Sequence, residues 1–272
     1  MKLINTACTL FISLLASTSI NPALAEQSTD WSGAYLGAVG GHSWGEASTN
    51  FSPSPLMAIP FFNEFLLPGA YQSLQSAGSQ NYGMNGFLGG IELGYNHQIN
   101  HLVLGLEADF QYTDLGNRQS KTTILNVNPL LNSSINFPTE FDGQVRSDWL
   151  STVRTRVGYA EGNLLGFISG GLAIADYSYR SGRTLNVSNG INTEAISSAT
   201  NTTAQILTGW TVGAGAEYAL IQNWSVKAEY LYARFDNIGD NSSTLSGIPL
   251  EAVSRTSAFT QHIARLGINY RF

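Results

Sequence analysis

The chain has 272 residues, 19 acidic against 13 basic, and a net charge of −6, yet only 12% of its residues are charged. A soluble domain carries roughly twice that charged fraction, and the acidic balance excludes the basic stripe that a nucleic-acid partner would require. The one cysteine, Cys8, lies in the N-terminal apolar stretch, so its removal with that stretch excludes disulfides, thiolate metal centres and cysteine catalysis.

Residues 1–25 read as a cleaved signal for the general secretory pathway. Lys2 is a minimal charged start, residues 7–16 form an apolar stretch, and Ala23-Leu24-Ala25 supplies a small-residue cleavage site before Glu26. The stretch is too short to cross a bilayer as a helix, and no later run reaches 18 apolar residues. After a short lead at 26–30, the rest of the chain, 31–272, carries segments that alternate with a period of two.

Eight alternating segments follow in order. The first is 31–44. The second, 86–97, sets Phe87, Ile91, Leu93 and Tyr95 against Gly90, Glu92, Gly94 and Asn96. The third, 102–111, is the clearest, with Leu102, Leu104, Leu106 and Phe110 opposed to Glu107, Asp109 and Gln111. The fourth opposes Trp149, Val153, Val157 and Tyr159 to Thr152, Arg154 and Arg156, and the fifth, 164–179, is glycine-rich and less clearly phased. The sixth puts Ile206, Trp210, Val212 and Tyr218 outward and Glu217 inward; the seventh puts Trp224, Val226, Tyr230 and Tyr232 outward and Lys227 and Glu229 inward. The eighth runs to Phe272, with Leu266, Ile268 and Tyr270 on the apolar face and Arg265 and Asn269 on the other.

Apolar-out, polar-in segments of about ten residues are the signature of membrane-spanning strands. An even number of them closes a sheet with no edge left unpaired in lipid. The predicted fold is therefore all-β, an eight-stranded antiparallel up-and-down transmembrane barrel. Three connections are tight (98–100, 161–163, 219–223). Four are long and rich in Ser, Asn, Thr and Gly (45–82, 113–148, 180–203, 236–257), and these are assigned to the extracellular side. Trp31, Trp44, Trp149, Trp224 and Tyr270 fall near strand ends, as interfacial girdles do.

The inward positions collect Glu92, Glu107, Asp109, Glu217 and Glu229 with Arg154, Arg156, Lys227 and Arg265. An eight-stranded barrel has just enough bore for side chains to fill it, and buried charges persist when paired. The first expectation is an ion-pair plug; the second is a narrow ion path opened by rearranged pairs. No H-E-x-x-H or Walker-type pattern occurs, and no catalytic residue is assigned.

Several stretches resemble one family: WSGAYLGAVGG at 31–41, GFLGGIELGYNHQI at 86–99, VLGLEADFQ at 103–111, STVRTRVGY at 151–159, GWTVGAGAEYALIQNWSVKAEYLYARF at 209–235 and ARLGINYRF at 264–272. They are similar to the porin-like small outer-membrane barrels of rhizobial-type α-proteobacteria, which have an OmpA-like transmembrane architecture and include surface immunogens and hemin-binding proteins. The resemblance implies a Gram-negative outer-membrane location, contacts with lipids and lipopolysaccharide, and Phe272 as the terminus shown to the barrel-assembly machinery. It also implies a porin-like surface protein that supports envelope integrity and passes small solutes slowly. The alternative is a receptor or adhesin for host surface molecules or hemin.

Two features bear on that alternative. His42 and His262 share outward parity near the outer ends of strands that meet on closure, where paired imidazoles would suit hemin iron or a metal ion. The first long connection also carries an apolar segment, unlike the family, around Phe61, Phe62, Phe65, Leu66 and Leu67. It is a candidate contact loop or a flap over the barrel mouth.

Overall fold

A computed structural model describes residues 29–52, 70–126, 136–221, 223–236, 240–244 and 251–272. The expected signal at residues 1–25 and the Phe61–Leu67 segment lie outside the described residues. The strands are β1 (Gly33–Ser52), β2 (Gln80–Ile99), β3 (Leu102–Asn126), β4 (Asn136–Glu161), β5 (Leu164–Ser188), β6 (Thr193–Ile221), β7 (Trp224–Asp236), β8 (Asp240–Thr244) and β9 (Glu251–Arg271), with one helix, α1 (Ala70–Gly78), between β1 and β2.

Each strand pairs antiparallel with the next along the chain, and β9 returns to pair with β1. β8 takes up the pairing with β9 just beyond where β7 stops: Asp236 faces Ala258 and Asp240 faces Arg255. It therefore continues the β7 wall, and the ring has eight strands. The lipid-facing set is exposed as the alternation requires, from Phe87 and Leu93 on β2 to Leu266 and Ile268 on β9. Of the tight turns, that after β2 uses Asn100 at φ 56° and that after β4 uses Gly162 at φ 58°, two residue types that tolerate the left-handed region.

The four outer connections are the long ones, but most of their described length is strand rather than irregular loop. β3 to β6 run 25, 26, 25 and 29 residues, where about ten suffice to cross a bilayer. Beyond the outer aromatics Tyr112, Trp149 and Trp210, these four strands continue as a sheet standing above the membrane. The fifth segment, indistinct by sequence, has Leu165, Phe167, Ala173, Ala175, Tyr177 and Tyr179 inward and Leu164, Ile168 and Leu172 outward.

α1 was not legible in the alternation. It starts two residues after Pro68, and its Leu74 and Ala77, one turn apart, are buried against Phe51 of β1 and Phe141 of β4. Lys121 Nζ donates to the Ser76 carbonyl at 3.0 Å, a cation near the helix C-terminus. The helix thus lies across the interior of the outer extension.

Where β4 shifts register between Arg146 and Leu150, Asp176 Oδ1 accepts the backbone N–H groups of Asp148 and Trp149, both at 2.7 Å. Asp176→Ala would leave two partly buried donors unpaired. The expected loss is about 1–3 kcal/mol, read from equilibrium unfolding of the refolded barrel, with most of the stability retained in Asp176→Asn.

Candidate functional site

The bore is filled in three layers. On the periplasmic side Trp31, Val103, Leu165, Phe167 and Ala219 form an apolar floor; Trp31, expected in an interfacial girdle, is instead buried inside the bore. The Trp31 backbone N–H donates to Gln98 Oε1 at 2.7 Å, and the Arg271 guanidinium lies 5.2 Å from the Trp31 ring. On the outer side Leu115, Val145, Leu150, Tyr177, Leu231, Phe235, Phe259 and Ile263 form a second apolar layer. The nine inward charges lie between the two.

Inward parity, set strand by strand, brings all nine together. Arg154 Nη1 donates to Glu229 at 2.7 Å, and its Nη2 reaches both Asp109 at 2.9 Å and Glu107. Arg265 joins Glu229 at 2.5 Å, Asp109 at 3.1 Å, Glu107 at 3.4 Å and Glu92 at 3.4 Å. Lys227 Nζ sits among Glu92 at 2.6 Å, Glu107 at 3.0 Å and Glu229 at 3.5 Å. Arg156 bonds Asn96 at 2.8 Å and Glu217 at 3.2 Å, with its guanidinium 4.9 Å from the Tyr35 ring and 5.1 Å from that of Phe167.

Neutral groups complete the shell. Tyr35 donates to Glu107 at 2.6 Å, Thr152 and Gln111 to Asp109 at 2.9 and 3.0 Å, and Ser225 and Asn269 to Glu217 at 2.5 and 3.0 Å. Tyr35 and Ser225 were not singled out in the sequence, and Asn96 and Asn269 were placed on the inward face without being assigned to the network. Their inward parity was the available signal, since each is two or four residues from a charge or an inward glycine on its own strand.

Glu92, Glu107 and Glu229 present oxygens within 4.8 Å of one another, the one such group of metal-ligating type among the described residues. The Lys227 ammonium already bonds all three, in the position a cation would take. The charged side chains of the cluster are at most 4% exposed, so water has no continuous contact with them. Chemically the arrangement is a desolvated, nearly neutral cross-link between strands.

On the outer wall, His42 and His262 both face outward near the seam, as parity requires, but they are not opposite each other. The β1–β9 register sets Trp44 against His262 and His42 against Ala264. The Trp44 ring stacks on both imidazoles, at 6.1 Å from His42 and 5.7 Å from His262, and Tyr230 Oη lies 2.6 Å from His262 Nδ1. The expected side-by-side pair is thus replaced by an aromatic cluster. Phe272 is exposed, packs edge-on to Tyr270 at 5.2 Å, and donates its N–H to the Ala34 carbonyl at 2.9 Å.

A closed eight-stranded ring with a lipid-compatible wall, aromatic residues at both of its ends and a polar interior filled by side chains defines a bacterial outer-membrane barrel protein. The model of the outer membrane protein beta-barrel domain matches residues 11–272, and the chain belongs to that family. It is 31% identical over 245 residues to the 31 kDa outer-membrane immunogenic protein of Brucella melitensis biotype 1, covering 89% of this chain and 84% of that one. It is 24% identical over 213 residues to the 22 kDa outer membrane protein of Rhizobium leguminosarum bv. viciae, covering 75% and 79%. Among solved structures, OprG from Pseudomonas aeruginosa aligns over 89% of this chain and 97% of its own at 12% identity and a TM-score of 0.37. The protein resides in the outer membrane.

Proposed function

We propose that the protein is a non-conducting surface barrel that reinforces the envelope and carries an external sheet into the extracellular layer. One observation carries this reading: nine charges pair with one another across the bore between two apolar layers. An ion would have to break several desolvated pairs at once to pass, and breaking even one buried pair is costly. Slow solute passage therefore drops out of the reading. Hemin capture by paired imidazoles drops out too, because Trp44 lies between the two rings.

Planar-bilayer recording of the refolded mature barrel tests it. The expected record is silent across a salt series, in a preparation shown to be folded by the heat-dependent shift of its gel mobility. Reproducible unitary steps whose ion selectivity reverses with Glu107→Lys would replace this reading with that of a narrow channel.

A further inference from the structure

We propose that the outward wall of the external sheet, around Arg118, Gln144 and Arg180, binds a carboxylated inner-core sugar of lipopolysaccharide. This inference rests on the outer-membrane location and is independent of whether the bore conducts.

Three adjacent strands bring the residues together. Arg118 on β3 pairs with Gln144 on β4, and Gln144 with Arg180 on β5. The two guanidinium-bearing positions are therefore two strand spacings apart, roughly 10 Å, with an amide between them. All three side chains point away from the interior. In the next row outward Asp142 pairs with Gly182, and Gly182 with Thr200. Glycine contributes no side chain there, and the wall dips into an open hollow of about 110 Å³ lined by these six residues, room for a carboxylate rather than for a whole sugar.

The chemistry of the hollow is mixed rather than cationic. Asp142 holds Arg118 through two bonds, at 2.7 and 3.1 Å. Arg180 and Gln144 make no hydrogen bond or ion pair among the described residues. A carboxylate between them would gain a charge-assisted fork from Arg180 and an amide donor from Gln144. Asp142 and the Thr200 hydroxyl are then placed to accept and donate to ring hydroxyls. A dianionic phosphate would meet the Asp142 charge, so the site favours a sugar acid with free hydroxyls over a bare phosphate.

Height selects the source. Arg118 lies six residues beyond the girdle residue Tyr112, about 20 Å along the strand and roughly 14 Å above the membrane surface for a strand tilted by about 45°. That is the layer of sugars attached directly to lipid A, and the wall faces it sideways.

The test titrates the refolded full-length barrel in detergent with three probes, followed by native mass spectrometry: lipopolysaccharide truncated to lipid A plus inner core, lipid A alone, and soluble sialyllactose. The expected result is retention of the inner-core form about tenfold more tightly than lipid A. Arg180→Ala and Gln144→Ala would each remove most of that difference, and Glu161→Gln, an exposed periplasmic-turn control, would leave it intact. Neither Arg180 nor Gln144 makes a bond that folding would lose, and unchanged heat-dependent gel mobility verifies this. Equal affinity for lipid A and the inner-core form, or unaltered binding by both variants, would overturn the proposal. Tighter binding of sialyllactose than of the inner-core form would overturn its assignment of the source.

Discussion

Arg154→Met is expected to destabilise the barrel by about 3–5 kcal/mol, the cost of leaving buried charges without their partner. The guanidinium bridges β4 to Glu107 and Asp109 on β3 and to Glu229 on β7, on the far side of the bore. Methionine fills much of the volume but supplies no donor, so the other cations are left to neutralise five carboxylates. The effect should appear as a lower urea midpoint of the refolded barrel in lipid, followed by tryptophan fluorescence. The matched control is Arg118→Met, which removes an exposed pair with Asp142 and should cost no more than about 1 kcal/mol. Equal losses in the two variants would mean that the interior network contributes no more than a surface pair. A double substitution that also replaces Glu229 by Gln should recover part of the loss, because it removes one of the stranded charges.

The second large effect is expected at Gly41, at the closing seam. A Cβ there would run into the Ala264 carbonyl oxygen and come within 2.7 Å of Arg265 Cα, both backbone atoms of the neighbouring strand. These atoms cannot rotate aside as a flexible side chain would. Gly41→Val must therefore push β1 and β9 apart where no loop joins them, and overpacking of this kind costs about 1–3 kcal/mol or more. Much of the preparation should fail to reach the heat-resistant fast-migrating form on gels. Gly166→Val, whose Cβ meets nothing within 4 Å, is the matched substitution and should fold normally.

The transmembrane part of the fold was legible because lipid and bore impose opposite chemistry on successive residues. Leu104 and Leu106 against Glu107 and Asp109 admit one parity only, and that parity also placed each member of the charge network. The outer extension was illegible for the same reason in reverse. Above the membrane the outer face of a strand meets water instead of lipid, so a stretch such as Thr-Thr-Ala-Gln at 202–205 shows no apolar alternation although it is strand. Its composition reads as loop, and only the ladder with β5 makes it a sheet. The seam failed differently. Every other register is set by a turn or a local hairpin, whereas β1 and β9 are joined by none, so parity placed His42 and His262 on the right face but two residues out of opposition. α1 gave only Tyr71, Leu74 and Ala77 as a signal, too few apolar positions to mark a helix.

That unconstrained seam gives Arg265 a part in assembly. It is the one charge of the network carried by β9, and until β9 docks, Glu92, Glu107, Asp109 and Glu229 face one another with a cation missing. Docking in the native register supplies it. A slip by one residue turns Arg265 to the lipid, at a cost of about 2–4 kcal/mol near the bilayer midplane, and leaves the four carboxylates uncompensated. The interior charges therefore proofread the alignment of the two strands that the chain itself does not align.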